Sequence, residues 1–232
     1  VRSRGLGDVY KRQFQINYYR RNIRRSYRKE VFLTMTITKI RVIRPKDRTS
    51  PVLAYANVEI DESVTLRDMR LLRSAEEGGT PWLKMPTKQS KSGVYRDIYN
   101  PINNEARQAM TAAVIDCLQK AIDGDKNEME VVLEAEVVEP VFSGFHIHRF
   151  PENRQMKAFA SCLVDEAIAL NRIAIVLDVE TKALKLTMPN HNIAKTGAYA
   201  SYYRLTPEAY QKLYTQVMEE YSNVPEDGGD AA

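Results

Sequence analysis

The sequence predicts an α+β fold in two tandem small domains, each an antiparallel β-meander followed by a C-terminal α-helix. The first observation is a repeat, because residues 54–62 (AYANVEIDE) return as residues 158–166 (AFASCLVDE). The second is a period-two alternation of apolar and polar residues, which is typical of half-buried strands. The third is a helical apolar stripe with the same spacing in both copies. A separation of about a hundred residues suits a small domain rather than a solenoid unit.

The strands of the first copy follow one another closely. The alternation predicts five extended segments, at residues 36–44, 52–61, 64–73, 82–85 and 95–99. Since the second and third are separated by a very short turn, they should form an antiparallel hairpin. Further short repeats extend the match between the copies: Leu83 to Pro86 returns as Leu186 to Pro189, and Gly93 returns as Gly197.

Each copy closes with one helix. The first is predicted over residues 103–122, with Asn103 or Asn104 capping its first turn and Gly124 ending it. The second enters through Thr206 and Pro207, a cap residue followed by proline at the first helical position. The two apolar stripes are Ala106, Ala109, Met110, Ala113, Val114, Cys117 and Tyr210, Leu213, Tyr214, Val217, Met218, Tyr221.

Residues 1–34 are predicted to be a non-native, disordered leader. Residues 3–13 match the in-frame translation of a transposase adapter used in sequencing libraries, and residues 29–31 can be encoded by a bacterial ribosome-binding sequence shortly before Met35. We therefore expect the native protein to begin at Met35. The alternative is a basic arm of interleaved Arg and Tyr residues, which would suit nucleic-acid binding.

The remaining chain divides into four predicted segments. They are a first domain at 35–122, a linker with an extra strand at 123–139, a second domain at 140–222, and a disordered acidic tail at 223–232.

Residues 1–34 account for the positive net charge of the whole chain. The whole chain has 34 basic and 30 acidic residues, but residues 1–34 contain ten of the basic ones and two of the acidic ones. Residues 35–232 therefore have 24 against 28, a net charge of −4. Residues 35–120 have 14 basic and 10 acidic residues, whereas residues 121–232 have 10 and 18. Only the first copy has a charge balance that favours a phosphate backbone.

Membrane and secreted classes are disfavoured. No run approaches the eighteen or more apolar residues of a membrane span. Two cysteines, Cys117 on the helix stripe and Cys162 in a strand, do not make a disulfide scaffold. We expect both to be buried thiols in a reducing cytoplasm.

Several motifs of the first copy carry a family resemblance. Residues 68–71 (DMRL), 85–88 (MPTK), 93–98 (GVYRDI) and 101–102 (PI), ahead of the helix, resemble the stage V sporulation protein G family of small bacterial regulators. The resemblance covers residues 35 to about 120. It implies a cytoplasmic α+β domain that dimerises through its sheet and binds DNA and RNA to regulate gene expression and septation. It implies no catalytic activity.

The candidate nucleic-acid site is the polar loop of the first copy. Lys84, Lys88, Lys91 and Arg96 bracket a loop of small polar residues, which can place cations and hydroxyl donors along phosphates. The alternative is that these side chains are merely solvated. For Asp97, next to Arg96, a structural role in the sheet is preferred.

The second copy departs from the pattern at these positions. His191 replaces Lys88, while Ala200 and Ser201 replace Arg96 and Asp97. Lys195 is its one clear loop cation. We expect this copy to have lost nucleic-acid binding and to serve as a partner surface for the first.

Enzyme and metal sites are not predicted. His146 and His148 lie on one strand face and His191 lies in a loop, but no acid or cysteine completes a known ligand spacing. No phosphate-binding glycine motif or nucleophile elbow is present. The sequence therefore predicts no cofactor, no metal and no small-molecule substrate.

The sequence thus favours a non-enzymatic, cytoplasmic regulator that binds DNA or RNA through the loop of the first domain. The alternative is a protein-interaction module on the same fold that no longer binds nucleic acid. The two copies are expected to pair within one chain as a pseudo-dimer, because joining two small open sheets satisfies their unpaired edges.

Overall fold

The computed structural model describes residues 35–76, 79–90, 93–150, 155–193 and 197–225. The predicted leader at 1–34, most of the acidic tail, and the loop cations Lys91 and Lys195 lie outside these residues. The first half of the chain, residues 35–122, contains β1 (Ile37–Ile43), β2 (Val52–Ile60), β3 (Val64–Leu72), β4 (Trp82–Lys84), β5 (Thr87–Gln89), β6 (Tyr95–Asp97), β7 (Tyr99–Pro101) and most of α1 (Asn104–Asp123).

The remainder of the chain repeats this order after one additional strand. It contains β8 (Glu128–Val132), β9 (Phe142–Arg149), β10 (Met156–Val164), β11 (Ile168–Leu177), β12 (Leu184–Thr187), β13 (Asn190–Asn192), β14 (Tyr199–Ser201), β15 (Tyr203–Leu205) and α2 (Pro207–Asn223). We call residues 140–222 the second half. The fold is therefore α+β, with every strand pair antiparallel.

Two large sheets and two hairpins make up the β structure. Sheet 1 has the order β15-β3-β2-β1-β8, with β4 also paired to β3, and sheet 2 has the order β12-β11-β10-β9, with β7 also paired to β11. The hairpins are β5–β6 and β13–β14. The extra strand predicted within residues 123–139 is β8, which ends at Val132 and pairs with β1 at the edge of sheet 1.

Each sheet contains a strand from the other half. β7 pairs with β11, where Tyr99 lies opposite Leu170, and β15 pairs with β3, where Tyr203 lies opposite Leu66. The exchanged strands cover the first part of β11 and β3, while β12 and β4 cover the later part. The buried apolar residues of both halves form one continuous core.

The two exchanged tyrosines meet inside this core. Tyr99 and Tyr203 are fully buried, and their rings make an edge contact with centroids 6.3 Å apart and planes at 79°. The Tyr99 hydroxyl donates to the carbonyl of Arg67, and the Tyr203 hydroxyl donates to the carbonyl of Asn171 at 3.0 Å. Because each phenol hydroxyl has an acceptor, the rings can be buried without an unpaired donor. Burial raises the pKa of both phenols well above its usual value.

The hairpins β2–β3 and β10–β11 turn through equivalent residues. Asp61 and Glu62 have φ of 49° and 51°, and Asp165 and Glu166 both have φ of 51°. Two consecutive positive φ values are typical of the two-residue turns that match the twist of antiparallel strands. The tight turn expected from the sequence is thus present in both halves.

The two turn aspartates are buried. Asp61 Oδ2 accepts from the Thr36 amide at 3.3 Å, and Asp165 Oδ1 accepts from the Val141 amide at 2.8 Å. Burial raises the pKa of Asp165 to about 6, and the neighbouring Asp61 adds to the rise. The two carboxyls are therefore close enough to influence one another across the two halves.

Both helices begin where the sequence places them. The Asn103 side chain accepts from the Ala106 amide at 2.7 Å, and Thr206 caps α2 by accepting from the Ala209 amide at 3.3 Å. α1 covers β1, β2 and β8 of sheet 1, and α2 covers β9 of sheet 2. Each sheet therefore has one face under a helix and one open face. Neither helix is long and apolar enough to cross a bilayer, within the part of the chain that the structure describes.

The two cysteines are buried free thiols, as the sequence predicts. Burial raises the pKa of Cys117 to about 11 and that of Cys162 to about 12. Both therefore behave as small apolar groups of the core rather than as reactive thiolates.

Candidate nucleic-acid interface

Two of the predicted site residues lie directly opposite each other on the hairpin β5–β6. The register pairs Lys88 with Arg96, and both side chains are exposed. Directly opposed residues of an antiparallel pair project from the same face, so two cations stand side by side. Like charges in this position destabilise a hairpin, which favours an anionic ligand as the reason for their presence.

The equivalent hairpin of the second half lacks this pair. In β13–β14 the register places His191 opposite Ala200, and Asn190 opposite Ser201. These are the positions that the sequence aligns with Lys88, Arg96 and Asp97, and the two hairpins have the same register there. The open pair of cations belongs to the first half.

Lys84 and Arg96 line different clefts. Lys84 lines a cleft of about 310 Å³ on sheet 1, which we call the sheet-1 cleft. Arg96 lines a cleft of about 550 Å³ on sheet 2, the sheet-2 cleft. The site predicted as one loop surface is thus spread over two sides of the hairpin, and Lys91 lies outside the described residues.

The sheet-1 cleft is electrically mixed. Its walls are Tyr55, Asp68, Arg70, Lys84, Met85, Pro86, Thr87, His191 and Tyr202. The His191 ring lies 4.7 Å from the Tyr202 ring, and its Nδ1 is 3.6 Å from Asp68 Oδ2. Burial raises the pKa of Tyr202, and the negative charge of Asp68 adds to it. The carboxylate of Asp68 and the imidazole of His191 are therefore neighbours in this cleft.

The sheet-2 cleft brings two arginines and one aspartate together with the ring of Phe159. Its walls are Arg96, Asp97, Asn100, His146, Ile147, His148, Phe159, Ala160, Ser161, Asn171 and Arg172. The Arg172 guanidinium lies 5.6 Å from the centre of the Phe159 ring. Phe150 makes edge contacts with both His148 and Phe159, at centroid distances of 4.9 and 5.3 Å. This half of the chain therefore presents aromatic rings next to cations.

Each cleft is lined by two cations and one acid, but the charge is reversed at one equivalent position that shares a backbone feature. Asp68 in β3 has φ of 65°, and Arg172 in β11 has φ of 63°. In both hairpins the strand register shifts beside this residue, between Ala56 and Val58 and between Ala160 and Cys162. A non-glycine residue with positive φ is uncommon and often marks a functional position. The two halves keep the geometry and exchange an acid for a cation.

The open face of sheet 1 is neutralised by the extra strand. Arg41 on β1 contacts Glu128 on β8 at 2.6 Å, and Lys39 contacts Glu130 at 3.8 Å. In sheet 2 the corresponding strand β9 is the edge, and within the described residues no strand pairs with its outer side. His146 and His148 on its open face are consequently exposed, with no acidic strand beside them.

The structure separates the three histidines considered as metal ligands. His146 and His148 line the sheet-2 cleft, whereas His191 lines the sheet-1 cleft. Within the described ranges, no group of three or more potential ligating side chains could hold a metal ion.

Sequence reasoning missed Arg172 and Phe159 as candidates. One signal was available, because the repeat aligns Arg172 with Asp68, and a charge reversal at an equivalent position points to different ligands. The same alignment makes Phe159 the equivalent of Tyr55, so each open face has an aromatic ring at this position.

The fold and the exposed hairpin cations define a small antiparallel α+β protein with one candidate anion-binding hairpin. The SpoVG family model matches residues 35–120. Three relatives bear the name "Putative septation protein SpoVG". The Archaeoglobus fulgidus protein is 31% identical over 84 residues, which cover 36% of this chain and 94% of that protein. The Treponema denticola protein is 33% identical over 86 residues, covering 37% and 88%. The Staphylococcus saprophyticus protein is 34% identical over 82 residues, covering 35% and 76%.

The chain therefore belongs to the SpoVG family. The match lies in the first half, and the resemblance drawn from residues 68–102 is confirmed.

Proposed function

We propose that this chain is a non-enzymatic nucleic-acid-binding regulator that contacts phosphates through the exposed cations of the hairpin β5–β6. The observation that carries the proposal is the pairing of Lys88 with Arg96 at directly opposed, exposed positions. Two cations kept side by side at a cost in stability suit a ligand with closely spaced negative charges. Family membership supports it, since the resemblance implies binding of DNA and RNA. The buried free thiols support a reducing, cytoplasmic location.

The salt dependence of binding tests this proposal. If three or four phosphates of a duplex are contacted, log affinity should fall with log salt at a slope of about −3, or roughly 50-fold between 50 and 200 mM. Binding of random DNA and RNA by the full chain is measured by fluorescence anisotropy. The Lys88→Ala, Arg96→Ala double variant should flatten the slope, and Lys195→Ala, the matched change in the second loop, should leave it unchanged.

Two other outcomes would assign the phosphate contacts to residues outside the hairpin β5–β6. An unchanged slope in the double variant would place the phosphate contact elsewhere. A chain that begins at Met35 distinguishes the basic arm, since loss of binding in that chain alone would assign the contact to residues 1–34.

The charge of the rest of the chain favours one alternative, a protein-interaction module that has lost nucleic-acid binding. Residues 35–232 are net negative, and Glu128 and Glu130 neutralise Arg41 and Lys39 on the open face of sheet 1. Absence of any binding at low salt would favour this alternative over the regulator.

The second part of the proposal is that the halves are tandem copies of one domain, paired as an intramolecular pseudo-dimer. The exchange of β7 and β15, the contact of Tyr99 with Tyr203 and the equivalent turns support this arrangement. Fusion holds the copies at a high effective concentration, which would let the second copy lose its hairpin cations without losing its structural role.

Light scattering on separated halves tests the pairing. Residues 35–122 alone would lack β15, so the edge of β3 at Val64–Leu66 would lose its partner and β7 would have no sheet to join. We expect this fragment to self-associate or aggregate, and residues 35–232 to be monomeric. A well-behaved monomeric fragment would refute the pairing.

A further inference from the structure

We propose that the sheet-2 cleft binds a nucleotide of single-stranded nucleic acid, with its base against Phe159 and its phosphates at Arg96 and Arg172. The inference rests on the proposed function and extends it to the second half, which the sequence alone assigns to a structural role. It also names the form of the ligand, a single strand rather than a duplex.

The first argument is that each half of the chain contributes an arginine to the sheet-2 cleft. Arg96 comes from β6 of the first half and Arg172 from β11 of the second, and they line the same cleft. His146 and His148 add polar groups on the same wall, and Asp97 is the one acidic residue among the cleft walls that the structure describes. Arginine binds phosphate with two parallel hydrogen bonds, so two guanidinium groups suit successive phosphates of a strand.

The second argument is the aromatic wall. Phe159 is half-buried on the open face, where the Arg172 guanidinium lies 5.6 Å from its ring centre and the Phe150 ring packs perpendicular to it at a centroid distance of 5.3 Å. Rings of this kind, beside arginine, are the surfaces on which unpaired bases stack, and this stacking tolerates any base. A volume of about 550 Å³ lies within the range of small-ligand sites.

The third argument excludes a duplex from this cleft. Paired bases are stacked on their neighbours and expose only their edges, so they cannot place a ring face against Phe159 without being flipped out. A single strand can expose a base face to Phe159 at little cost in free energy, because its bases are already unpaired. The hairpin cations can hold either form, whereas the sheet-2 cleft distinguishes them.

The sheet-1 cleft provides the comparison within the same molecule. It is smaller, and the position of Arg172 is taken by Asp68, whose carboxylate faces His191. An acid at this point repels phosphate. Arg70 and Lys84 also line the sheet-1 cleft, but Asp68 lies at the position that Arg172 occupies in the sheet-2 cleft. We therefore expect the sheet-1 cleft to bind a strand more weakly than the sheet-2 cleft.

The experiment compares equivalent substitutions in the two clefts of the full chain. Arg172→Asn removes the cation with a residue that tolerates positive φ, and Asp68→Asn is its matched control. Phe159→Leu removes the ring, and Tyr55→Leu is its control in sheet 1. Binding of labelled 12-nucleotide RNA and DNA single strands, and of the duplex of the same sequence, is measured by fluorescence anisotropy at low salt. Residues 1–34 are present in every variant, so their contribution cancels.

Arg172→Asn should weaken single-strand binding about tenfold and reduce the salt slope by about 0.7, the value for one single-strand phosphate. Phe159→Leu should weaken it about fivefold with an unchanged slope, since only stacking is lost. Neither control should weaken binding more than about twofold, and duplex affinity should change little in all four variants. Thermal midpoints of the variants check that the fold is kept.

Three results would overturn the inference. If the wild-type chain binds nucleic acid but Arg172→Asn and Phe159→Leu behave like their controls, the cleft is not a strand site while the hairpin proposal stands. Equal losses for duplex and single strand would remove the distinction between them. Displacement of the strand by micromolar uridine monophosphate would assign the cleft to free nucleotides. If the wild-type chain binds neither probe, the proposed function fails as well.

Discussion

The open faces of the two sheets share a backbone and differ in charge. Both have a positive-φ residue at the same point of the central strand, and it lines a cleft together with an aromatic residue of the neighbouring strand and a hairpin residue from the other half. On sheet 1 that residue is Asp68 and the basic residues of β1 are paired with β8, whereas on sheet 2 it is Arg172 and the histidines of β9 are open. The comparison teaches that a scaffold can persist while its two equivalent surfaces acquire different chemistry.

The comparison also changes the role of the second half. The hairpin β13–β14 of this half lacks the paired cations of β5–β6, since Ala200 occupies the position equivalent to Arg96. Judged by its sheet, it has Arg172 where the first half has an acid. We therefore expect the two halves to cooperate, with hairpin cations from one and a cleft wall from the other.

The largest expected effect tests the equivalence of the two central tyrosines. Tyr99→Ala and Tyr203→Ala should each lower the free energy of unfolding by about 3 to 5 kcal/mol, because each removes a fully buried ring and leaves a cavity. Tyr199→Ala, which alters a side chain that is 71% exposed, should change it by less than about 0.5 kcal/mol. Urea unfolding measures all three. A cost near zero for either buried tyrosine would mean that the halves do not share one core.

A smaller effect concerns the buried turn carboxyls. The pKa of Asp165 is about 6 in the folded protein against 3.8 in the unfolded chain, so the folded state binds the extra proton between these values. The free energy of unfolding should therefore fall as pH rises from about 4 to about 6, by roughly 2 kcal/mol. Asp165→Asn should remove this fall and make the protein more stable than wild type at pH 7.5.

The control for this pH effect has the opposite sign. A hydrogen bond from Lys185 holds the pKa of the half-buried Asp178 below its usual value, so the stabilising contribution of Asp178 is present above the unfolded pKa and lost as pH falls. Asp178→Asn should leave the fall between pH 4 and 6 intact. If Asp165→Asn also leaves it intact, the turn carboxyls are not its source.

The helix caps should show a similar cost in both halves. Asn103→Ala and Thr206→Ala each remove the side chain that accepts an amide of the first turn, so each should cost about 1 kcal/mol. Thr215→Ala, on the exposed face of α2, should stay within about 0.5 kcal/mol. Thermal unfolding followed by circular dichroism gives the values. A large difference between the two caps would show that the helices contribute unequally to the fold.

The smallest expected effect concerns β8. Glu128→Gln removes an exposed ion pair with Arg41, so the free energy of unfolding should change by less than about 0.5 kcal/mol. If β8 neutralises the open face of sheet 1, the same change should raise nucleic-acid affinity about twofold at low salt, and the rise should vanish at high salt. Glu180→Gln, in an exposed turn, serves as the control. Unchanged nucleic-acid affinity would mean that Arg41 does not contact the ligand even when its ion pair with Glu128 is removed.

Much of the fold could be predicted because its signals are local. The alternation defines β1, β2 and β3, the cap residues Asn103 and Thr206 define the helix starts, and a very short turn defines the hairpin of β2 and β3. The helix stripes predict the core correctly, since Ala106, Met110, Val114, Leu213 and Val217 are all buried. Lys88 and Arg96 could be proposed as candidates from the sequence, because they bracket a loop of small polar residues.

The sequence by itself thus determined the long strands β1 to β3, the two helices, the family and the charge of each half, whereas it assigned β5 to a polar loop. Only the tertiary structure decided that β7 and β15 cross to the other sheet, that Lys84 and Arg96 line different clefts, and that Arg172 and Arg96 line the same one. The physical reason is that these pairings join residues about seventy or more positions apart, and backbone hydrogen bonding and shared burial select them. Neighbouring residues carry no signal of such contacts, and the register shifts beside Asp68 and Arg172 alter which side chains face the clefts.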